Sequence, residues 1–155
     1  MLYSPYLPED FAALYAVEGI CFQLPFRFDV EYMLQLVQSS NTATWIAEQD
    51  NQMAGFAIVE WTDKRNGREG YIQTIEVMPK TRGRGVGGEL LRRIEASAHA
   101  ASCKIIWLHV DADNIGAIHL YTTRGYVYEG RAENYYARRR TALIYRKILE
   151  GVPAG

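Results

Sequence analysis

Glycine and arginine are concentrated in residues 79–93, PKTRGRGVGGELLRR, directly before a stretch with the pattern of an amphipathic helix. Glycine is a poor residue with which to begin a helix, so another requirement must select it here. The first turn of a helix carries free N–H groups and partial positive charge, and glycines would leave those groups uncovered. With the local arginines, this pattern predicts a site for an anion such as a diphosphate. The alternative is a flexible loop with solvated arginines.

Two common phosphate-binding motifs do not fit this segment. A Walker A loop ends in Gly-Lys-Ser/Thr, whereas this one ends in Gly-Gly-Glu at residues 87–89. Gly83, Gly85 and Gly88 satisfy the dinucleotide pattern GxGxxG. That pattern belongs on a tight turn immediately after the first strand of a βαβ unit, but here MPKTR intervenes after a strand ending near Val77 and several strands come earlier.

The elements before this segment are predicted to be two helices and three strands. A helix covers PEDFAALYAVEGICF, with Pro8 at its first position, and a second helix follows the N-cap Asp29. An apolar loop, QLPFRF, joins them. ATWIAEQ and MAGFAIVEW are predicted to pair as a hairpin across DNQ, and a polar loop, TDKRNGRE, leads to the strand YIQTIEV.

The elements after the segment alternate between helix and strand. The glycine-rich segment opens a helix that runs to about Ala101, and IIWLHV is a strand. Asn114 caps a short helix that Gly125 ends, and the remaining residues alternate as strands. The predicted fold class is therefore α/β (α+β).

Composition predicts one domain, residues 1–150, with a short tail at 151–155. The chain has 155 residues, 48% of them hydrophobic, and its net charge of -1 argues against general binding to nucleic acid or anionic membranes. Cys21 and Cys103 lack the spacing of a metal or disulfide framework and are predicted to be buried reduced thiols. The sequence MLYSPYLPED has no signal-peptide pattern, and no apolar run reaches the ~20 residues of a membrane span, so we expect a soluble, cytoplasmic protein.

Two ordered motifs together resemble a known superfamily. Arg82, Gly85 and Gly87 fill the pattern Arg-x-x-Gly-x-Gly after the strand ending IEVMP, and HVDADNIGAIHLYTTRGY supplies the second motif. The chain resembles the GNAT superfamily of acetyl-CoA-dependent N-acetyltransferases over nearly its whole length. The resemblance implies a mixed, mostly antiparallel central sheet flanked by helices, and acetyl-CoA as cosubstrate without a metal.

The resemblance also implies how acetyl-CoA binds. The glycine-rich loop and helix start take the pyrophosphate. Backbone N–H groups near 75–77, where YIQTIEV splays from IIWLHV, take the acetyl carbonyl and the pantetheine arm. The predicted coenzyme-binding residues are Ile75, Glu76, Val77, Arg82, Gly83, Arg84, Gly85, Val86, Gly87, Gly88, Asn114, Ala117 and Tyr121.

Three residues are assigned catalytic roles by the resemblance. Tyr121 occupies the position whose hydroxyl faces the thioester sulfur as general acid; the alternative is a core tyrosine. His109 stands where many relatives have glutamate, and with Tyr71 it resembles a pair in the ribosomal-protein-alanine type of N-terminal acetyltransferase, which deprotonates the amine through water. An α-amine has a pKa of about 7.7 to 8.0, against about 10.4 for lysine, so a histidine relay suits an N-terminus. The alternative for His109 is a structural histidine.

Two aromatic segments match the same branch. Leu24, Pro25, Phe26 and Phe28 fall where these enzymes line the first residue of the peptide, and Tyr135 and Tyr136 fall where a tyrosine pair holds its backbone. The alternatives are a hydrophobic loop and an aromatic edge strand. Arg138, Arg139 and Arg140 are interpreted as a solvated turn rather than a guide for acidic substrates.

These inferences predict direct transfer of an acetyl group to a primary amine in a ternary complex, by a monomer or homodimer. The favoured acceptor is the α-amino group of a peptide or protein. One alternative acceptor is a small amine such as a polyamine, antibiotic or amino acid, and an alternative from another class is a non-catalytic acyl-CoA-binding sensor. Because Cys21 and Cys103 lie outside the matched catalytic positions, no acetyl-cysteine intermediate is expected.

Overall fold

The computed structural model describes residues 1–137 and 139–149. The predicted tail at 151–155, the predicted domain end at residue 150 and Arg138 lie outside the described residues. The strands are β1 (Leu2–Pro5), β2 (Thr42–Gln49), β3 (Gln52–Lys64), β4 (Gly67–Val77), β5 (Cys103–Asp111), β6 (Val127–Ala137) and β7 (Arg140–Ile148). The helices are α1 (Phe11–Cys21), α2 (Val30–Gln38), α3 (Val86–Ala100) and α4 (Ile115–Thr123), with 3₁₀ turns at Pro8–Asp10 and Pro79–Thr81.

The strands form one sheet in the order β1-β2-β3-β4-β5-β7-β6. Every neighbouring pair is antiparallel except β4 and β5, which are parallel. Alternate residues of β3 point to opposite faces: Ile58 packs with the residues of α1 and α2, whereas Ala57 and Val59 pack with those of α3. The predicted fold class, a mixed and mostly antiparallel sheet flanked by helices, is confirmed.

Three of the predicted helix ends agree with the cap geometry, whereas the helix predicted to begin at Pro8 begins at Phe11, after a 3₁₀ turn. The Asp29 carboxylate accepts a hydrogen bond from the N–H of Glu31, and the Asn114 side chain accepts one from Ala117, so each caps the helix that follows. Gly125, with φ of 91°, follows α4. Local capping chemistry therefore sets these boundaries.

The strand predictions need two corrections. The β2–β3 hairpin is present, with Asp50 and Asn51 both at positive φ in its turn. The predicted polar loop TDKRNGRE is wrong, since β3 and β4 continue through it to a tight turn, with an Asp63–Arg68 ion pair of 2.8 Å across the strands. Cross-strand charge pairing lets such exposed polar residues form strand. Strand β1 was also missed; it is a short edge strand paired with β2.

Strands β4 and β5 separate halfway along their length. Their parallel pairing runs from Arg68 and Cys103 to Tyr71 and Trp107 and stops there, while β5 stays paired with β7 as far as Asp111. Within β4, Ile58 and Val59 of β3 face residues 74 and 72, which leaves residue 73 as a bulge. The splayed strands that the resemblance implies are present, and they open the sheet between them.

No helix in residues 1–137 and 139–149 combines the length and the apolar character required to cross a membrane.

Candidate active site

Two cavities meet where β4 and β5 separate. The first, here the glycine-loop cavity, has a volume of about 680 Å³ and lies along the starts of α3 and α4. The second, the aromatic cavity, has a volume of about 630 Å³ and lies over the separating strands. The residues that line both are Phe22, Ile75, Asn114, Ala117 and Tyr121. A ligand that fills one cavity can therefore reach the other at Tyr121.

Part of the wall of the glycine-loop cavity is open backbone. Gly83 and Gly85 have φ of 79° and 82°, a region that side-chain-bearing residues rarely adopt, and nothing lies within 4 Å of where a Cβ would sit on either. Gly85 is the N-cap of α3 and makes no side-chain cap. The first N–H groups of α3 have no intrahelical acceptor and are available to an anion.

Arginines supply the charge around this loop. Arg82 lies on the cavity wall and donates to the carbonyl oxygen of Val77 at 2.9 Å. Arg124 was not predicted from the sequence; its guanidinium occupies the space that a Cβ on Gly88 would need. An arginine in the last turn before the Gly125 helix stop was the available signal. The cavity therefore combines free N–H groups with two arginines.

Most of the predicted coenzyme-binding residues lie on this wall. Arg84 does not line either cavity, and Glu76 borders the glycine-loop cavity but is only 2% exposed. The lining residues among those predicted are Ile75, Glu76, Val77, Arg82, Gly83, Gly85, Val86, Gly87, Gly88, Asn114, Ala117 and Tyr121.

Tyr71 and His109 form the polar centre of the aromatic cavity. The Tyr71 hydroxyl and His109 Nδ1 are 2.8 Å apart, and the two side chains come from adjacent strands. Burial lowers the pKa of His109. Burial, and then a hydrogen bond with Tyr135, raise the pKa of Tyr71 far above its usual value. At neutral pH His109 is therefore a neutral imidazole beside a protonated phenol.

Aromatic rings hold this pair in place. The rings of His109 and Tyr135 stack at 4.2 Å with an angle of 12° between their planes. Trp107, two residues before His109 on the same strand face, meets Tyr71 edge-on at 4.6 Å. Trp107 was not predicted as a site residue, although the period of two in β5 places it beside His109.

Tyr121 lies at the junction of the two cavities. Its side chain is 6% exposed, and α4, capped by Asn114, carries it there. Burial, and secondarily Tyr136, raise its pKa. Its hydroxyl thus keeps its proton at neutral pH and is able to donate it.

The two predicted aromatic segments come together across the cavity. Pairing between β6 and β7 is interrupted between Ala132 and Ala137, which frees the tyrosine pair from the strand ladder. Tyr136 then contacts Phe26 at 4.9 Å between ring centroids. Of the predicted residues, Pro25, Phe26, Phe28, Tyr135 and Tyr136 line the cavity, whereas Leu24 is 86% exposed and does not.

Charged groups complete the rim of the aromatic cavity. Arg140 pairs with Asp111 at 2.5 Å and lies over the Phe26 ring at 4.8 Å. Of the three arginines interpreted as a solvated turn, Arg140 is thus a packed side chain, and Arg139 is exposed.

Within the described ranges, no group of three His, Cys, Asp or Glu side chains is arranged to hold a metal ion.

Comparison with known proteins identifies the family. The model of the acetyltransferase (GNAT) family matches residues 11–126. This chain belongs to the acetyltransferase (GNAT) family. Among solved GNAT-like structures, the ribosomal-protein-S18-alanine N-acetyltransferase of Escherichia coli aligns with a TM-score of 0.84 and 24% identity, covering 99% of this chain and 96% of that one. Other similar structures hold acetyl-CoA or coenzyme A.

Two relatives similar in sequence are acetyltransferases named for different acceptors. The N-alpha-acetyltransferase MAK3 of Arabidopsis thaliana is 28% identical over 92 residues, which are 59% of this chain and 48% of that protein. The streptothricin acetyltransferase of Streptomyces lavendulae is 32% identical over 97 residues, 60% of this chain and 49% of that protein. The matched region thus spans about half the length of each relative.

Proposed function

We propose that this protein transfers an acetyl group from acetyl-CoA to the α-amino group of a peptide or protein, within a ternary complex. The observation that carries the proposal is the 2.8 Å hydrogen bond between Tyr71 and His109 in a cavity that meets the glycine-loop cavity at Tyr121. A proton acceptor, the Tyr71–His109 pair, and a proton donor, Tyr121, thus lie where the two cavities meet, as direct transfer between two substrates requires.

The glycine-loop cavity fits the coenzyme. The open glycines and free N–H groups at the start of α3 suit its diphosphate, and Arg82 adds positive charge beside them. Ile75 and Val77 border the gap between β4 and β5, where strand pairing has ended and backbone N–H groups are available to the pantetheine arm. Acetyl-CoA would supply the acetyl group there as an activated thioester.

Tyr71 and His109 would remove the proton from the attacking amine. The Tyr71 hydroxyl passes its proton to Nδ1 of His109 while its oxygen takes a proton from the amine through a water molecule. Tyr71 stays neutral throughout, as its raised pKa requires, and the proton ends on the imidazole. Tyr121 gives its hydroxyl proton to the departing sulfur, and the proton held by His109 then returns through solvent to the Tyr121 oxygen, so that both groups regain their starting state.

The weak base favours an α-amine over a lysine. Because burial lowers the pKa of His109, the imidazole is a poor match for an amine of pKa about 10.4 and a better one for an amine of about 7.7 to 8.0. An acetyl-cysteine route is disfavoured, since burial above all raises the pKa of Cys21 to about 11 and keeps its thiol protonated.

A small amine is the second candidate acceptor. The streptothricin acetyltransferase matches this chain at 32% identity, and the lining of the aromatic cavity includes the carboxylates Glu60 and Glu69, which suit a second cationic group. A coenzyme-binding sensor without turnover is the least supported function, because it has no use for the Tyr71–His109 pair.

A mixed acceptor assay tests these functions. Peptides with varied first residues and one internal lysine are incubated with acetyl-CoA beside Nα-blocked copies, polyamines and streptothricin, and mass spectrometry locates the added acetyl group. Acetylation of free N-termini alone supports the proposal and gives the preferred first residue. Acetylation confined to small amines or blocked peptides overturns it, and coenzyme binding without any product supports the sensor.

A further inference from the structure

Two carboxyl groups are buried side by side outside the proposed catalytic set. Glu18 on α1 is 0% exposed and Glu76 on β4 is 2% exposed. One oxygen of each is satisfied: Glu18 Oε2 accepts from the N–H of Phe28 at 2.8 Å, and Glu76 Oε2 accepts from the Thr74 hydroxyl at 2.8 Å. The Oε1 atom of each has no other partner among the described residues. A proton between the two carboxyl groups would satisfy both.

Electrostatics favours one shared proton over two charges. Burial first, and then the hydrogen bond and charge of Glu18, raise the pKa of Glu76 to about 10. The other titratable groups nearby are bonded elsewhere: the Cys21 thiol donates to Val77 O at 3.5 Å, and Arg82 contacts that thiol and the same carbonyl. At neutral pH Glu76 is therefore protonated and able to donate a hydrogen bond to Glu18.

The pair is linked to the wall of the aromatic cavity through Phe28. Glu18 accepts from the N–H of Phe28, and the Tyr15 hydroxyl donates to its carbonyl oxygen at 2.9 Å. The Phe28 ring lines the cavity and stacks on Tyr32 at 5.4 Å. Two side chains of α1 thus hold the Phe28 backbone from both ends, and Glu76 ties one of them to β4.

We propose that Glu18 and Glu76 share one proton and are positioning residues, which hold Phe28 and the loop at residues 22–29 against β4 to complete the acceptor site. This inference rests on the proposed function only in assigning that loop to the acceptor. The bonds at Phe28 are made on the acceptor side, so the pair should affect acceptor binding more than coenzyme binding.

Two substitutions of nearly equal size separate positioning from packing. Glu18→Gln keeps an oxygen that can accept from Phe28, whereas Glu18→Met removes it and leaves a buried N–H unpaired. We expect Glu18→Met to raise the KM for an acceptor peptide roughly 5- to 100-fold, the effect of an unpaired buried donor, with the KM for acetyl-CoA changed less than about twofold. Glu18→Gln should restore the acceptor KM to within about threefold of wild type.

Hydrogen exchange of the segment 22–29 reports on the hydrogen bond between Phe28 and Glu18 without any substrate. Exchange there should be faster in Glu18→Met than in wild type and near wild type in Glu18→Gln. Unchanged exchange and acceptor KM in Glu18→Met overturn the proposal. If instead the wild type acetylates no peptide, the proposed function fails while the exchange measurement still tests the contact.

A third variant serves if Glu18→Met does not fold. Glu76→Gln imitates the protonated carboxyl, because its amide can donate to Glu18 and accept from Thr74. Raising the pH toward 10 should increase the acceptor KM of the wild type several-fold more than that of Glu76→Gln, as the shared proton is lost only from the wild type. Equal pH dependence in the two proteins contradicts a shared proton.

Discussion

The two cavities that meet at Tyr121 are built from different material. The glycine-loop cavity is centred on exposed backbone before the start of α3, with Gly83 and Gly85 at positive φ, and residues of β4 and α4 complete its wall. The aromatic cavity is made of side chains from the 22–29 loop, β4, β5 and β6, held by stacking and hydrogen bonds. A site made of backbone is changed little by amino-acid substitution and suits one fixed ligand. A site lined by side chains can be altered by substitution to accept a different ligand. Substitutions in the two cavities should therefore affect different substrates.

The largest expected effect is on turnover, from the Tyr71–His109 pair. Tyr71→Phe keeps the ring against Trp107 and removes only the hydroxyl, so kcat should fall roughly 10²- to 10⁴-fold, the usual contribution of a positioned acid–base group. Coenzyme A binding, measured by calorimetry, should stay within about threefold of wild type because the glycine-loop cavity is untouched.

Tyr32→Phe is the matched control for that substitution. Its hydroxyl lies in the same cavity but bonds Gln73 rather than His109, so its loss should lower kcat less than about tenfold. Equal losses in both variants, or normal turnover in Tyr71→Phe, would remove the pair from the mechanism.

The second effect is on coenzyme affinity, from Gly85→Ala. Within the protein there is room for the added methyl group, so the expected effect comes from placing alanine at φ of 82°. A left-handed alanine costs about 1–2 kcal/mol, which should raise the KM for acetyl-CoA roughly 5- to 30-fold and leave the acceptor KM nearly unchanged. Gly116→Ala, also in open space on this cavity wall but without positive φ, should change either KM less than about twofold. Comparable changes in the two variants would show that crowding, not backbone strain, is responsible.

The third effect is a loss of turnover in acid. Burial lowers the pKa of His109, so the imidazole is neutral at pH 7 and gains a proton only at a pH below the usual imidazole range. The protonated ring cannot accept the proton of the amine, and kcat at saturating substrates should fall about tenfold per pH unit below that pKa. His109→Gln should show a low rate without this acidic limb. An acidic limb that persists in His109→Gln belongs to another group.

The same difference between the cavities explains which features the sequence predicts. Glycines, helix caps and turn residues act on their immediate neighbours, so a local pattern predicts the α3 start, the Asn114 cap and the β2–β3 turn. Side-chain sites depend on register and on loops that meet from distant parts of the chain. The contact of Tyr136 with Phe26 occurs where the pairing of β6 with β7 is interrupted, and no local sequence pattern indicates that interruption.

The sequence predictions that the structure corrects also failed because they depended on contacts between different parts of the chain. The charged residues around Asp63 and Arg68 look like a loop because strand propensity is low there, yet pairing across the hairpin makes them strand. Leu24 shares the apolar character of its neighbours in the loop but turns outward. Glu76 occupies a position predicted to contact coenzyme, and only the packing of α1 against β4 reveals Glu18 beside it.

The smallest expected effect is that of replacing Arg124, which tests the assignment of the glycine-loop cavity to the coenzyme. Its guanidinium lies against Gly88 at the positive end of α3, an arrangement that an anion between the two would stabilise. Because the side chain is exposed, Arg124→Gln should raise the KM for acetyl-CoA only about 3- to 10-fold, and less at high salt. Arg92→Gln is the control, since Arg92 is paired with Glu89 and lies off the cavity wall. A rise in the acceptor KM in Arg124→Gln, with that for acetyl-CoA unchanged, would contradict the division of the two cavities between two substrates.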